Sequence, residues 1–319
     1  MTSPPIAVGI PVYNGGNYLA EAIASLRAQI FGDFRLIISD NASTDNTEDI
    51  CRQAARDDPR IEYHRQPTNL GAPANYNFTV ARSQSEFFMW HAHDDLRAPA
   101  FLGLAYEAFR ADANASLVFS KAARIGPHGE ERGMMPRSDD LLSPLPYRRL
   151  RAVIVSPQSP LMIFGLIRRS VLESTWGHGA FKGADRVLAA ELVLLGAPIE
   201  LPEVLFFNRD HPGRYTRLSR DKRSKSAWWD PATAHKISLP RWKGVGGYLR
   251  AVHRHPLSAP DRLRSYLAVG QSLFANDLYI GRQLARDAND AMSALGQSVR
   301  SRLVASTRTK EDSTDDSPN

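Results

Sequence analysis

The chain has 319 residues, 43% hydrophobic and 23% charged, so it can bury a sizeable core and is neither a low-complexity tail nor a fibrous repeat. A single cysteine, Cys51, excludes an internal disulfide framework and fits a reducing compartment. The net charge of +6 is uneven: from Leu205 to Arg264 there are 14 Lys or Arg against four Asp, a field that favours diphosphate, anionic lipid headgroups or nucleic acid, unless it is only a solvated face.

In chain order, Ile6 to Val12 reads as a buried strand, and Leu19, Ala22, Ile23 and Leu26 recur at helical spacing within Asn17 to Gln29. Phe34 to Ser39 is a second strand, and Ser43-Thr44-Asp45 caps a helix over Thr47 to Arg56. Ile61 to His64 is a third strand, Asn69-Leu70-Gly71 a turn, and Ala74 to Ser83 a helix. Phe87 to Trp90 is a fourth strand that delivers Asp94 and Asp95, followed by a helix over Ala100 to Arg110 and a strand over Ser116 to Ser120. Strands alternating with helices predict parallel βαβ units. After Ser120 the pattern changes. Gly126 to Pro146 reads as a loop, Leu161 to Arg168 as a strand, Arg186 to Leu195 as a helix and Glu203 to Asn208 as a strand. From about Leu239 the chain is helical and basic, and residues 306–319, polar and without aromatics, are expected to be disordered. The N-terminus has no charged-then-apolar leader and no run of about 18 apolar residues occurs, so a cytoplasmic protein is expected.

In an open α/β sheet, ligands bind beyond the carboxyl ends of the strands. Tyr13 and Asn14 close the first strand here, Asp40 and Asn41 the second, and Asp94-Asp95 stands behind them. Two adjacent carboxylates repel, which a divalent cation relieves; hard oxygen ligands beside a diphosphate suit Mg²⁺ or Mn²⁺. Asp95 can also serve as a helix cap before Leu96. His91 and His93 share one face of an extended segment, a spacing open to a transition metal, but hydrogen bonding to the carboxylates is the preferred reading. No base-stacking motif accompanies the basic stretch, so nucleic acid is not an expected partner.

Pro11-Val12-Tyr13-Asn14, Asp40 to Asp45, Asn69-Leu70-Gly71 and Asp94-Asp95, in this order and spacing, resemble glycosyltransferase family 2 over roughly residues 5 to 215. The resemblance implies a GT-A (Rossmann-like) α/β fold: a mostly parallel sheet flanked by helices, with a helical C-terminal extension. It implies a catalytic domain over 1–215, with a donor half to about 120 and an acceptor half over about 150–215, then a basic loop and helices over 216–305. A nucleotide-sugar donor would be met by Pro11, Tyr13, Asn14, Asp40, Asn41, Asn69, Asn75 and Asp94. Asp40 would accept a base N–H and Tyr13 would stack on the base; otherwise Asp40 caps a turn and Tyr13 packs. Asp95 would hold Mg²⁺ or Mn²⁺, with Asp94 facing the ribose or sharing the metal. The family more often reads Asp-X-Asp-Asp, and Ala92 stands where the first acid would be. Asp185 would be the general base, with Glu191 in reserve; the alternative for Asp185 is a helix cap. In Asn208 to Tyr215, His211 would be a further metal ligand, and Arg209 or Arg214 would clamp phosphate. Arg217, Arg220, Lys222, Arg223 and Lys225 would form either a flexible loop or a donor-ordered lid.

The implied reaction is inverting transfer to a hydroxyl of a glycan or lipid-linked acceptor, in cell-surface polysaccharide or glycolipid synthesis. The basic tail with Trp242, Tyr248, Tyr266 and Phe274 would complete the core or form a homodimer contact in preference to lying on the inner face of the membrane. Two rivals stand beside this reading. A sugar nucleotidyltransferase would carry a basic Gly-rich loop after the first strand, whereas Gly15-Gly16-Asn17 has no base nearby before Arg27. A non-catalytic nucleotide-sugar or glycan-binding module would bind donor without turnover.

Overall fold

The computed structural model describes residues 3–156, 160–214 and 239–275, with the isolated positions 288, 289 and 292. The basic loop 217–225, the tail 306–319 and the side chain of Phe274 lie outside the described residues.

The first half alternates as expected: β1 (Ile6–Val12), α1 (Leu19–Arg27), β2 (Phe34–Asp40), α2 (Thr47–Asp57), β3 (Ile61–Arg65), α3 (Ala72–Arg82) and β4 (Phe87–Trp90). After the Asp94-Asp95 turn come β5 (Leu96–Arg97), α4 (Phe101–Ala111) and β6 (Leu117–Ile125). The rest comprises β7 (Glu131–Met134), α5 (Pro146–Val155), β8 (Leu166–Arg168), α6 (Arg169–Glu173), α7 (Ala184–Leu195) and β9 (Ile199–Arg209), then helices Pro240–Arg254 and Ala259–Ala275. One nine-stranded sheet runs β3-β2-β1-β4-β8-β6-β9-β5, with β7 paired to β6. Its long ladders, β1 with β2, β2 with β3 and β6 with β9, are parallel, and its antiparallel pairings are short.

Three expectations in the second half need correction. The segment read as a loop contains the β7 hairpin strand, a 3₁₀ turn at Asp139–Leu142 and the start of α5. The strand expected over Leu161 to Arg168 is a 3₁₀ turn at Leu161–Phe164 followed by a three-residue strand. An apolar run too short to show a period cannot separate the two. The last strand is longer than read, reaching back to Ile199.

The sheet buries both faces. On one side α1, α2 and α4 cover Val8, Ile10, Leu36 and Met89. On the other, α3, α5 and α7 cover Ala7, Phe88, Trp90 and Leu117. Gly9 permits the α3 approach, since a Cβ there would lie 2.6 Å from Thr79 Oγ1. Tyr248, Ala251, Val252 and Val269 of the two C-terminal helices join this second core. One face of the basic extension therefore completes the core, the packing role expected of it. Among the described residues, no helix is long and apolar enough to cross a membrane.

Candidate active site

Parallel register pairs Val12 with Asp40, so the loops after β1 and β2 leave the sheet side by side. They are stitched together. Asn14 N–H donates to Ser43 Oγ (2.9 Å), Thr44 N–H to Asn14 Oδ1 (2.9 Å), Gly15 N–H to Thr47 Oγ1 (2.8 Å) and Gly16 N–H to Asp45 Oδ2 (2.9 Å). Each loop holds a non-glycine residue in the left-handed region, Asn14 at φ 52° and Ala42 at φ 62°. Such conformations persist only where surrounding bonds over-determine them.

Asp40 is buried at the end of β2. It accepts the Ser43 N–H (2.8 Å), the Tyr63 hydroxyl (3.0 Å) and Arg65 Nη1 (2.6 Å). Two carboxylate oxygens offer about four lone-pair directions, so capacity for one more donor remains. Asn41 clasps the following turn: its amide donates to Asn69 Oδ1 (2.9 Å) and its carbonyl accepts Leu70 N–H (2.8 Å). Asn69 Oδ1 also accepts Gly71 N–H (2.9 Å). Asn75 is buried, donating to Val12 O (3.3 Å) and Ser39 O (2.9 Å) and accepting from Ser39 Oγ (2.6 Å), so it ties β1 to β2 from below. Pro11 is buried in β1. Tyr13, 41% exposed, is the large aromatic that these loops leave open.

The Asp94-Asp95 pair splits its carboxylates. Asp95 is buried and turned inward: Oδ1 accepts Arg209 N–H (2.8 Å) and Asn208 Nδ2 (3.1 Å). Asp94 turns the other way, with Oδ2 2.9 Å from His211 Nε2. Burial, then the Asp94 charge, pushes the Asp95 carboxyl up. Burial also opposes ionisation of Asp94, but His93, His211 and Arg214 outweigh it and hold its carboxyl low. Arg209 cannot meet a phosphate as expected. It is fully enclosed, and its guanidinium donates to Asp94 O (2.9 Å), Pro127 O (2.9 Å) and Glu21 Oε2 (2.7 Å), with the Tyr18 ring 4.7 Å away. It anchors the loop that carries Asp94. Arg214 lies partly open, close enough to both aspartates to stabilise their charged forms.

Asp185 stands in the first turn of α7, after Gly183 in the left-handed region (φ 90°). Burial raises its carboxyl, and the Arg186 N–H and charge offset this only in part. Tyr76 of α3 connects the two carboxylate sites: beyond burial itself, the charges of Asp94, Asp95 and Asp185 all oppose ionisation of its phenol. Its ring lies 4.6 Å from His178, whose loop is clasped to α3 by paired bonds to Asn77 (2.9 Å each). Among the described residues, His178 Nε2 is buried without a hydrogen-bond partner, and burial lowers its pKa to about 4. Glu191, the reserve base, is elsewhere: it is buried, accepts Trp176 N–H (3.1 Å) and faces His255 Nε2 at 3.3 Å. His91 is enclosed, with Nδ1 2.7 Å from Ala92 O, and does not converge with His93 on a common ion. Tyr76, His178 and Asn208 give no motif in the sequence; only Asn208, inside the strand-closing stretch Asn208 to Tyr215, had a signal near it.

Among the described residues, no three His, Cys, Asp or Glu side chains gather as a metal cage. The donor set that does converge is one carboxylate and one imidazole, Asp94 and His211. That suits Mg²⁺ or Mn²⁺ bound mainly through substrate phosphates and water, because such ions take few protein ligands at a diphosphate. A cavity of about 270 Å³ also opens on the α5 face, walled by Phe119, Met134, Leu141, Met162 and Phe206. Arg186, beside Asp185, holds its rim by donating to Val153 O (2.7 Å) and Ser156 O (2.6 Å).

Residues 7–176 match the family described as Glycosyl transferase family 2. An uncharacterized glycosyltransferase of Rickettsia typhi is 35% identical over 97 residues, 30% of this chain and 29% of that one. The putative glycosyltransferase EpsE of Bacillus subtilis is 30% identical over 148 residues, 43% of this chain and 53% of that one. The match thus spans at most about half of these curated relatives. Among solved structures, S. aureus TarS 1–349 in complex with UDP-GlcNAc superposes with a TM-score of 0.65 at 15% identity, covering 91% of this chain and 81% of that one. The mannosyltransferase PcManGT from Pyrobaculum calidifontis, in complex with GDP-Man and Mn²⁺, gives 0.55 at 16% identity, covering 96% and 81%. At such identities the likeness establishes the fold, which is GT-A.

Proposed function

The chain belongs to glycosyltransferase family 2, and on that premise we propose that it moves a sugar from a nucleotide-diphosphate donor to a hydroxyl of a glycan or lipid-linked acceptor, with inversion. The observation that carries this reading is the Asp94–His211 pair, 2.9 Å apart beyond the sheet's carboxyl ends, together with a desolvated Asp185 at the start of α7. A desolvated carboxylate with raised pKa and an ion-binding carboxylate–imidazole pair are what a base and a leaving-group site require.

In this reading Tyr13 stacks on the nucleobase, and the Asp40–Arg65 pair fixes the loop beneath it. Asn41 and Asn69 hold the turn that closes the far side. Asp94 Oδ2 and His211 Nε2 would hold Mg²⁺ or Mn²⁺, while Asp95 works from behind by fixing Asn208 and Arg209. When bound, the metal neutralises charge on the departing diphosphate. Arg214 adds a second cation on that side. Asp185 takes the proton from the acceptor hydroxyl as its oxygen bonds to the anomeric carbon. The carbon–oxygen bond to the diphosphate breaks with its electron pair, and the configuration inverts. The α5 cavity would receive an apolar part of the acceptor. Synthesis of cell-surface polysaccharide or glycolipid at the cytoplasmic face is the setting such an acceptor suggests.

A screen of nucleotide-sugars for metal-dependent hydrolysis tests the reading without knowledge of the acceptor. Hydrolysis of one donor, stimulated by Mn²⁺ or Mg²⁺ and lost in Asp94→Asn, is expected. Donor binding without turnover under all conditions, with acceptors supplied, would instead mark a non-catalytic binding module.

A further inference from the structure

The helix Pro240–Arg254 has two faces. Inward, Tyr248, Ala251 and Val252 are buried, and Gly247 lets the backbone approach α7 so closely that a Cβ would come within 2.8 Å of Val187. Outward, Trp242, Leu249 and His253 are exposed and fall on one stripe at helical spacing. Lys243, Arg250 and Arg254 repeat the same offsets and form the adjoining stripe, also exposed. Trp176, 65% exposed at the start of the loop that leads to Asp185, extends this surface: the Arg250 and Arg254 guanidinium carbons lie 5.5 and 5.6 Å from its ring centroid. The helix contains no Asp or Glu. Carboxylates on neighbouring elements are occupied or enclosed: Glu173 pairs with Arg169, Asp261 with the Ser258 hydroxyl, and Glu191 is buried against His255.

We infer that this face, carried by Trp242, Leu249, Lys243, Arg250, Arg254 and Trp176, docks on an anionic lipid bilayer. Aromatic and leucine side chains beside a cationic stripe match the boundary between headgroups and acyl chains, where amphipathic rings sit and each nearby Lys or Arg adds to the attraction. A two-fold contact between copies would set one cationic stripe against another with no acid among the described residues of the face to meet it, which disfavours self-association. Docking by this face brings the loop 176–183, and so the Asp185 side of the cleft, to the lipid surface. Membrane binding and sugar transfer are separable, since a protein inactive in transfer can still sediment with vesicles.

The full-length chain is co-sedimented with vesicles of phosphatidylglycerol and phosphatidylcholine, and with pure phosphatidylcholine. Binding to the anionic vesicles alone, weakened by salt, is expected. The double substitution Lys243→Ala/Arg250→Ala should lower partitioning roughly thirtyfold and Trp242→Ala about tenfold, with donor hydrolysis in solution unchanged for both. Equal affinity for neutral vesicles, absence of binding, or binding undiminished in these variants would overturn the assignment. So would a dimer in sedimentation velocity that Trp242→Ala dissolves, because the face would then serve a second copy.

Discussion

In the proposed reading the cleft has a donor wall and an acceptor wall, and the two are built on opposite principles. On the donor wall nearly every polar group is paired inside the protein: Asn14, Ser43 and Thr44 bond across two loops, and Asp40, Asn41 and Asn75 each take several partners. On the acceptor wall two buried groups, Asp185 and His178, are left under-satisfied among the described residues. Asp185 is desolvated and met mainly by its own helix terminus, and His178 Nε2 has no partner among the described residues. A satisfied network is rigid and stabilising, whereas an under-satisfied buried group costs stability and is retained where chemistry needs it. In that reading, stability with recognition belongs to one wall and reactivity to the other.

The largest expected effect tests the acceptor wall. Asp185→Asn should cut the transfer rate by about a thousandfold, the usual weight of a general base, with donor affinity retained. Its melting temperature should not fall. A carboxyl whose folded pKa lies above its unfolded value destabilises the native state at neutral pH, where the unfolded chain ionises more readily, so a neutral amide removes that cost. For the same reason the acid limb of the native rate profile should lie above the ordinary aspartate value of about 4, because only the ionised form accepts the proton. A marked loss of stability in Asp185→Asn would break the comparison.

The converse applies at Asp40. Asp40→Ala leaves the Ser43 N–H and the Tyr63 hydroxyl without their acceptor, and Arg65, one-third exposed, turns to water. The two orphaned neutral donors should cost about 3 kcal/mol, read as a lower denaturant midpoint, with donor binding lost in parallel. Undiminished stability would show that the donor wall is not the stabilising one.

Glu191 marks where the acceptor wall ends. Its carboxylate accepts the Trp176 N–H and faces His255 Nε2 at 3.3 Å, where α7 meets the C-terminal helix pair. Glu191→Ala should cost about 2 kcal/mol by leaving Trp176 N–H unpaired, while donor hydrolysis per folded molecule stays near the native level. Loss of hydrolysis at full stability would move this residue into the reactive wall.

The same division explains what could be read in advance. The strands β1 to β4 were legible because each is a short, fully buried apolar run bounded by polar turns. The donor motifs were legible because their partners lie close in sequence or close successive parallel strands. The acceptor half resisted. The β7 strand is a fully exposed edge segment, Glu-Arg-Gly-Met, with no apolar alternation, and α5 hides behind an N-terminal proline in a stretch dense with Pro and charge. Tyr76 and His178, whose rings lie 4.6 Å apart, are separated by whole elements, and no local spacing announces such a meeting. Arg209 shows the reverse error: a cation in a promising loop whose donors are consumed by Glu21 and two carbonyls.

The smallest effect belongs to Tyr13, a large aromatic that the donor wall leaves open. Removing it should not disturb the network, since the bonds of Asn14, Ser43 and Thr44 run through backbone and their own short side chains. Its loss should be felt only when a base is present. Stacking of a base on an aromatic ring is worth about 1–3 kcal/mol, so Tyr13→Ala should raise the donor KM roughly tenfold with kcat little changed, and Tyr13→Phe should restore it. The split separates recognition from reaction on a single wall. A fall in kcat at unaltered KM would mean that Tyr13 orients the diphosphate, and the donor wall would then share in the chemistry.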